Sequence, residues 1–103
     1  MMYRRIATGG GALDLTVAPT EAGQLEGVRI TLGAASAAEN LTISLISASG
    51  SEYNVTLDVE AMSGLTYYVW QPTRPHPFFK GDGIRVQYAN SGAVTWGLEI
   101  LWI

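Results

Sequence analysis

The amino-acid sequence predicts an all-β protein: an antiparallel β-sandwich of about seven or eight strands with a jelly-roll or related Greek-key topology. Short stretches of alternating apolar and polar residues recur at roughly ten-residue intervals, separated by glycine, proline, asparagine and serine. No segment longer than Ala34–Glu39 has helical periodicity. The connection Pro72–Pro77 is long enough to cross between two sheets, which favours a Greek-key path over a simple meander.

The alternating stretches that we expect to form strands are bounded by turn residues. They are Leu13–Ala18, Leu25–Leu32, Asn40–Ser47, Tyr53–Glu60, Leu65–Gln71, Ile84–Tyr88 and Thr95–Ile103. Pro72–Pro77 contains three prolines, which a central strand does not accommodate, so it is expected to be a stiff extended loop. Of the adjacent Phe78 and Phe79, one must face away from the core if the chain is extended there.

Two parts are expected: an N-terminal arm over residues 1–12 and a single sandwich domain over residues 13–103. The arm could form a short edge strand at Tyr3–Ile6, and Gly9–Gly11 would link it flexibly to the domain. Such an arm either orders against a neighbouring molecule or is a frayed terminus. The basic start of the chain is not followed by the long apolar run of a secretion signal.

Composition narrows the class of partner. Charged residues make up only 15% of the chain and apolar residues 48%, against about 25% charged in an ordinary soluble domain, so part of the surface is expected to be covered. The net charge of −3 and only six scattered Lys and Arg residues argue against nucleic-acid binding. No apolar run approaches the ~18 residues of a membrane span, and the absence of cysteine excludes disulfides and thiol chemistry.

The last predicted strand is apolar on both faces. Its first face carries Trp96, Leu98, Ile100 and Trp102. Leu101 and Ile103 make the second face apolar towards the end of the chain. A strand of this kind requires cover on both sides, and a second copy or another protein would supply the outer cover.

Side chains suited to catalysis are sparse. The one histidine, His76, lies between two prolines and has no companions at metal-ligand spacing. Asp58 and Glu60 alternate with apolar residues and are expected on the solvent face of their strand; a hydrolase would need both in a cleft, and a charged solvent face is the favoured interpretation. Asp82, between two glycines, is expected to accept hydrogen bonds from nearby backbone N–H groups in a turn. The sequence therefore predicts no enzyme, no cofactor and no metal.

The aromatic side chains offer an alternative function. Exposed tryptophan and tyrosine on a β-sandwich can stack on sugar rings, and Tyr68 and Trp70, beside the proline loop, are the aromatic residues most expected to be exposed. A carbohydrate-binding module that uses these two residues is the alternative to core and interface packing.

Several stretches together resemble small structural proteins encoded among the head and tail genes of tailed bacteriophages. They are Trp70-Gln71-Pro72, the run Phe78–Val86, the Asn-containing turn and the closing Trp96–Ile100. The resemblance implies a non-enzymatic virion component: a capsid decoration (cement) protein or an accessory protein of the neck or tail. Such proteins are commonly small β-sandwiches or barrels, often trimeric, with N-terminal arms that reach a neighbour.

The predicted function is therefore a phage structural protein of the virion, assembled in the host cytoplasm. It would stabilise the capsid surface or the neck and tail as a homo-oligomer, expected to be a homotrimer. Its partners would be its own copies and the major capsid, neck or tail proteins, with no nucleic acid and no membrane. The residues expected to bind partners are Tyr3, Arg4, Arg5, Ile6, Arg74, His76, Leu101 and Ile103.

Overall fold

A computed structural model describes all 103 residues and has an antiparallel β-sandwich architecture, as the sequence predicts. The strands are β1 (Tyr3–Gly9), β2 (Leu13–Val17), β3 (Gly23–Leu32), β4 (Asn40–Ile46), β5 (Val55–Ala61), β6 (Tyr67–Trp70), β7 (His76–Phe78), β8 (Gly83–Tyr88) and β9 (Trp96–Trp102). The single helical turn, the 3-10 segment Ser51–Tyr53, is far too short to cross a bilayer.

The strands form two sheets. Sheet A has the order β1-β9-β3-β6, with the short β7 pairing with the other end of β3 on the same side as β6. Sheet B has the order β2-β8-β4-β5. The chain passes from one sheet to the other at most of its connections, while β4 and β5 form a hairpin within sheet B.

The core lies between the sheets and consists of apolar side chains from alternate strand positions. Sixteen buried hydrophobic residues form one cluster. Leu41, Ile43, Ile84 and Val86 from sheet B and Ile100 from sheet A have no exposed surface. The alternation predicted for β2, β3, β4, β8 and β9 points towards this layer, because period-two side chains reach the same side of a sheet.

The N-terminal segment contains the edge strand expected at Tyr3–Ile6, but the strand continues through Gly9, which was expected to begin a flexible link. Residues 3–9 form β1, which pairs with β9 from Tyr3 opposite Trp102 to Gly9 opposite Trp96. The ring of Tyr3 stacks on that of Trp102 with centroids 6.0 Å apart. Gly9 suits its place because a Cβ there would lie 2.6 Å from the Trp96 ring. Residues 3–9 are therefore an edge strand of the domain's own sheet.

The facing of β5 corrects the prediction for its carboxylates. In the pairing with β4, Asp58 lies opposite the buried Ile43, and Glu60 lies opposite the buried Leu41. Both carboxylates are therefore on the side of sheet B that faces sheet A, while Val59 points outward with 52% of its surface exposed. A register shift between Ile43 and Ser44 changes the facing of the strand along its length.

The prediction for the aromatic residues of β6 is reversed in the same way. Tyr68 and Trp70 lie opposite the buried Ile30 and Val28, and both are half-buried. Tyr67, on the other face, is 66% exposed. The predicted proline loop also contributes a strand: β7 pairs with β3 at the edge of sheet A, where Pro77 opposes Gln24. With β1 and β7 the strand count is nine rather than seven or eight.

We expect removal of residues 1–9 to lower the free energy of unfolding by several kcal/mol. The truncation deletes the β1–β9 ladder, whose hydrogen bonds contribute about 1 kcal/mol net each. It also deletes the stacking of Tyr3 on Trp102. Thermal unfolding followed by circular dichroism measures this. The matched control removes only Met1 and Met2, which lie before β1. Equal unfolding temperatures for the two truncated proteins would mean that β1 is a detachable arm.

Candidate functional sites

The outward side of sheet A, here called the sheet-A face, gathers part of the predicted partner-binding set. Directly opposed residues share a face, so the strand registers define its members. They are Arg4, Ile6 and Thr8 of β1, Gly97, Glu99 and Leu101 of β9, Arg29 and Thr31 of β3, and Tyr67 and Val69 of β6.

The charged residues on the sheet-A face are two arginines and one glutamate, and the glutamate pairs with both arginines. Glu99, in the middle of β9, forms ion pairs with Arg29 on one neighbouring strand and with Arg4 on the other, the latter at 3.4 Å. Exposed ion pairs of this kind add little stability. A protein that covers this face would therefore bury charged side chains that are already paired with one another.

The remainder of the sheet-A face is apolar or small. Tyr67, Ile6 and Val69 are 66%, 59% and 47% exposed. The outward side of sheet B is more polar, apart from Val59 and the half-buried Ile46; its polar members are Asp14, Thr16, Asn40, Thr42, Ser44, Thr56, Arg85 and Gln87. The sandwich is therefore asymmetric, with more of its exposed large apolar side chains on the outward side of sheet A.

The structure divides the remaining predicted partner-binding residues among three places. Tyr3 and Ile103 lie together at one end of sheet A, where they line a depression with Trp102. Arg5 lies opposite Ile100 and so on the inward side of β1. Arg74 is exposed in the β6–β7 connection, and His76 begins β7.

A polar cluster lies at the open side of the sandwich between β5 and β6. The hydroxyl of Tyr68 donates a 2.7 Å hydrogen bond to Oδ2 of Asp58. Burial, this bond and the charges of Asp58 and Glu60 all raise the pKa of Tyr68, so its hydroxyl stays protonated. Trp70 packs against the core. The two residues predicted to bind a glycan are thus engaged within the protein, and Asp58 is not a free carboxylate.

A groove, here called the end groove, opens at one end of the sandwich with a volume of about 560 Å³. It lies among the β4–β5 connection, β7 and the β7–β8 turn, and its lining residues are Leu45, Ser47, Ser49, Tyr53, His76, Pro77, Phe79 and Asp82. Tyr53 and Phe79 are 62% and 70% exposed. Phe78 is buried, so the expectation that one of the two phenylalanines faces outward is confirmed.

Asp82 holds together the two loops that form the end groove. Its Oδ2 accepts a hydrogen bond from the Phe79 backbone N–H at 2.9 Å, and its Oδ1 accepts one from Ala48 N–H at 2.9 Å. These two bonds lower the pKa of Asp82 below its ordinary value. The predicted role of Asp82 as an acceptor in its own turn is confirmed by the bond from Phe79. The bond from Ala48 also connects that turn to the loop after β4.

His76 lies at the edge of the end groove. Its Nδ1 is 3.1 Å from the carbonyl oxygen of Pro77, so a hydrogen bond there requires the proton on Nδ1 and leaves Nε2 as an acceptor in the neutral ring. No group of three or more His, Asp or Glu side chains is arranged to hold a metal ion.

Sequence reasoning did not identify Tyr53 as part of a site. The available signal was its place directly after Ser49-Gly50-Ser51, since Gly50 adopts φ 139° and begins the 3-10 turn that presents the tyrosine. Neither a scan against models of known protein families nor a search of curated proteins finds a match to this chain.

Replacing Asp82 with asparagine should lower the free energy of unfolding by about 1–3 kcal/mol at pH 7, because a charged acceptor of two backbone N–H groups is lost. The folded-state pKa lies below the unfolded value of about 3.9. The stabilisation is therefore complete above that pH and disappears as the pH falls through the folded-state pKa. Urea unfolding at pH 7 and pH 3 measures both effects.

The control for Asp82→Asn is Glu21→Gln, which removes an exposed carboxylate in the β2–β3 connection and should change stability by less than about 0.5 kcal/mol. A loss in the Asp82 variant that is equally large at pH 7 and at pH 3 would contradict the role of the ionised carboxylate.

Tyr68→Phe should lower the free energy of unfolding by about 1 kcal/mol, since it removes the half-buried hydrogen bond to Asp58. Tyr67→Phe, on the exposed face of the same strand, is the matched control and should have almost no effect. Equal stability of the two variants in chemical denaturation would show that the bond to Asp58 contributes nothing.

Proposed function

We propose that this protein is a non-enzymatic structural component of a phage virion, which works by burying the sheet-A face against its own copies or against a capsid, neck or tail protein. The observation that carries the proposal is the composition of that face: exposed Ile6, Tyr67 and Val69 surround charges that are already paired around Glu99. Interface centres combine apolar and aromatic side chains with few unpaired charges.

The free energy available from burying this face is suited to binding an ordered array of partners. Full burial of an aliphatic side chain contributes roughly 1.5–3 kcal/mol, whereas association costs about 4–15 kcal/mol. A few residues such as Ile6, Leu101 and Val69 therefore support only modest affinity for a single partner. A homotrimer would present three copies of the face, and linked contacts raise the overall affinity without new chemistry. Several weak contacts made at once would let such a protein stabilise a lattice by mass action.

The order of the strands in the two sheets supports the proposal by analogy. We interpret β1-β9-β3-β6 facing β2-β8-β4-β5 as the order of an eight-stranded jelly roll in which β6 and β7 share one strand position. Jelly rolls occur in viral capsid proteins and in lectins. Fold alone does not assign a function, so the face composition carries the proposal.

We expect the purified protein to have the mass of a closed oligomer, most simply a trimer, in light scattering behind a sizing column. The double variant Ile6→Lys/Val69→Lys should be monomeric, because it places two unpaired charges in the buried face. Both side chains are exposed in the single chain, so folding should be unaffected.

The control for this variant is Val59→Lys, which changes a similarly exposed valine on the outward side of sheet B and should leave the oligomer intact. A monomeric parent protein at high concentration would remove the homo-oligomer from the proposal. The virion assignment is tested separately by mass spectrometry of purified tailed particles from the source culture, and absence of its peptides from those particles would overturn it.

A further inference from the structure

The end groove carries the chemistry of a ligand site that is separate from the sheet-A face. Its volume of about 560 Å³ falls within the ≈ 300–1,000 Å³ of small-molecule sites in proteins. Two aromatic rings, Tyr53 and Phe79, stand largely exposed on it. Exposed rings on adjoining loops have no structural role in the core, since Phe78 and not Phe79 fills the interior.

The polar groups of the end groove suit hydroxyl-bearing ligands. Ser47 and Ser49 contribute hydroxyl groups, and His76 presents its ring nitrogen Nε2. Asp82 is an ionised carboxylate with two of its acceptor positions used by backbone N–H groups, and a carboxylate has about four such positions. A pyranose ring offers one apolar C–H face for an aromatic ring and several hydroxyl groups for these acceptors and donors.

The charge of the end groove narrows the ligand class further. Asp82 is the only acidic residue among the lining residues, and no lysine or arginine lines the groove. An anionic ligand would therefore meet a like charge without compensation. From these observations we propose that the end groove binds a neutral saccharide, with pyranose rings stacked on both Tyr53 and Phe79.

The loops that carry these rings are held before any ligand arrives. Asp82 ties Ala48 to Phe79. Oδ1 of Asn54 accepts a 2.7 Å hydrogen bond from Ser47 N–H, closing the loop that bears Tyr53. Prior ordering reduces the entropy lost on binding. Asp82 and Asn54 thus hold the loops in place, while Tyr53 and Phe79 supply the stacking contacts to the ligand.

The experiment titrates the ¹⁵N-labelled full chain with hexaoses of glucose, mannose, galactose and N-acetylglucosamine, with the hexaose of galacturonate as the acidic counterpart. We expect amide shift changes confined to residues 45–53 and 76–82 for at least one neutral sugar. Tyr53→Ala and Phe79→Ala should each weaken that binding about tenfold, the loss of one stacking partner. The galacturonate hexaose should bind more weakly than its neutral galactose counterpart.

Tyr67→Ala is the matched control, because Tyr67 is as exposed as Tyr53 but lies on the sheet-A face. It should leave saccharide affinity unchanged. Three results would each overturn the proposal: no shift with any neutral hexaose, shifts centred on Tyr68 and Trp70 instead, or groove shifts with tetramethylammonium and none with sugars. The groove variants should keep the parent's mass in light scattering, so failure of this site and failure of the assembly role are distinguishable.

Discussion

The pairing of the last strand with the first strand is the constraint on which sheet A depends. Strand β9 lies between β1 and β3, so both of its edges are hydrogen-bonded. Its inward Leu98 and Ile100 are almost fully buried, and its outward Glu99 joins the charges of both neighbouring strands. The contact joins the two ends of a 103-residue chain. Closing so long a loop is entropically costly, which is typical of slowly folding β-sandwiches.

This position explains why the final strand is apolar on both faces. Its inward face belongs to the core, while Leu101 on the outward face lies between Arg4 of β1 and Gly27 of β3 and is half-buried by the domain itself. The domain therefore supplies part of the cover that the sequence pattern demands. The exposed apolar surface on sheet A comes chiefly from Ile6 and from β6, whose facing was not evident from the sequence.

Sequence alternation predicted the fold class and the central strands because a strand with neighbours on both sides must point its apolar residues at the core. At the edges this rule weakens. The register shift beside Ile43 places Asp58 and Glu60 on the inward side and Val59 on the outward side. On the inward side, the Tyr68 hydroxyl donates a hydrogen bond to Asp58. In β6 both faces carry large side chains, so the period-two pattern does not show which face is buried. Edge strands bury less surface, and local irregularities decide their orientation.

The features of the end groove were predictable only in part, for a related reason. Asp82 between two glycines indicated a local turn, and the turn is present. The second bond, to Ala48, connects residues 34 positions apart and follows from the strand order, which composition and spacing do not determine. Asn90 is likewise predictable only in part. Its φ of 52° fits the predicted turn, but the hydrogen bond that its side-chain amide donates to the Gly11 carbonyl depends on the strand order.

The two candidate surfaces draw on different parts of the fold, and this separation has a physical basis. The sheet-A face is made of outward side chains on strands that are paired by hydrogen bonds, and its two arginines pair with Glu99. The end groove is lined by β4 and β7 as well as by connections, and Tyr53 and Phe79 lie in the connections, where no strand ladder restricts how they are presented. A ligand site on loops held by Asp82 leaves the paired strands unaltered. The two proposed roles, assembly through the sheet-A face and saccharide binding in the end groove, would thus use different surfaces and share only the core beneath them.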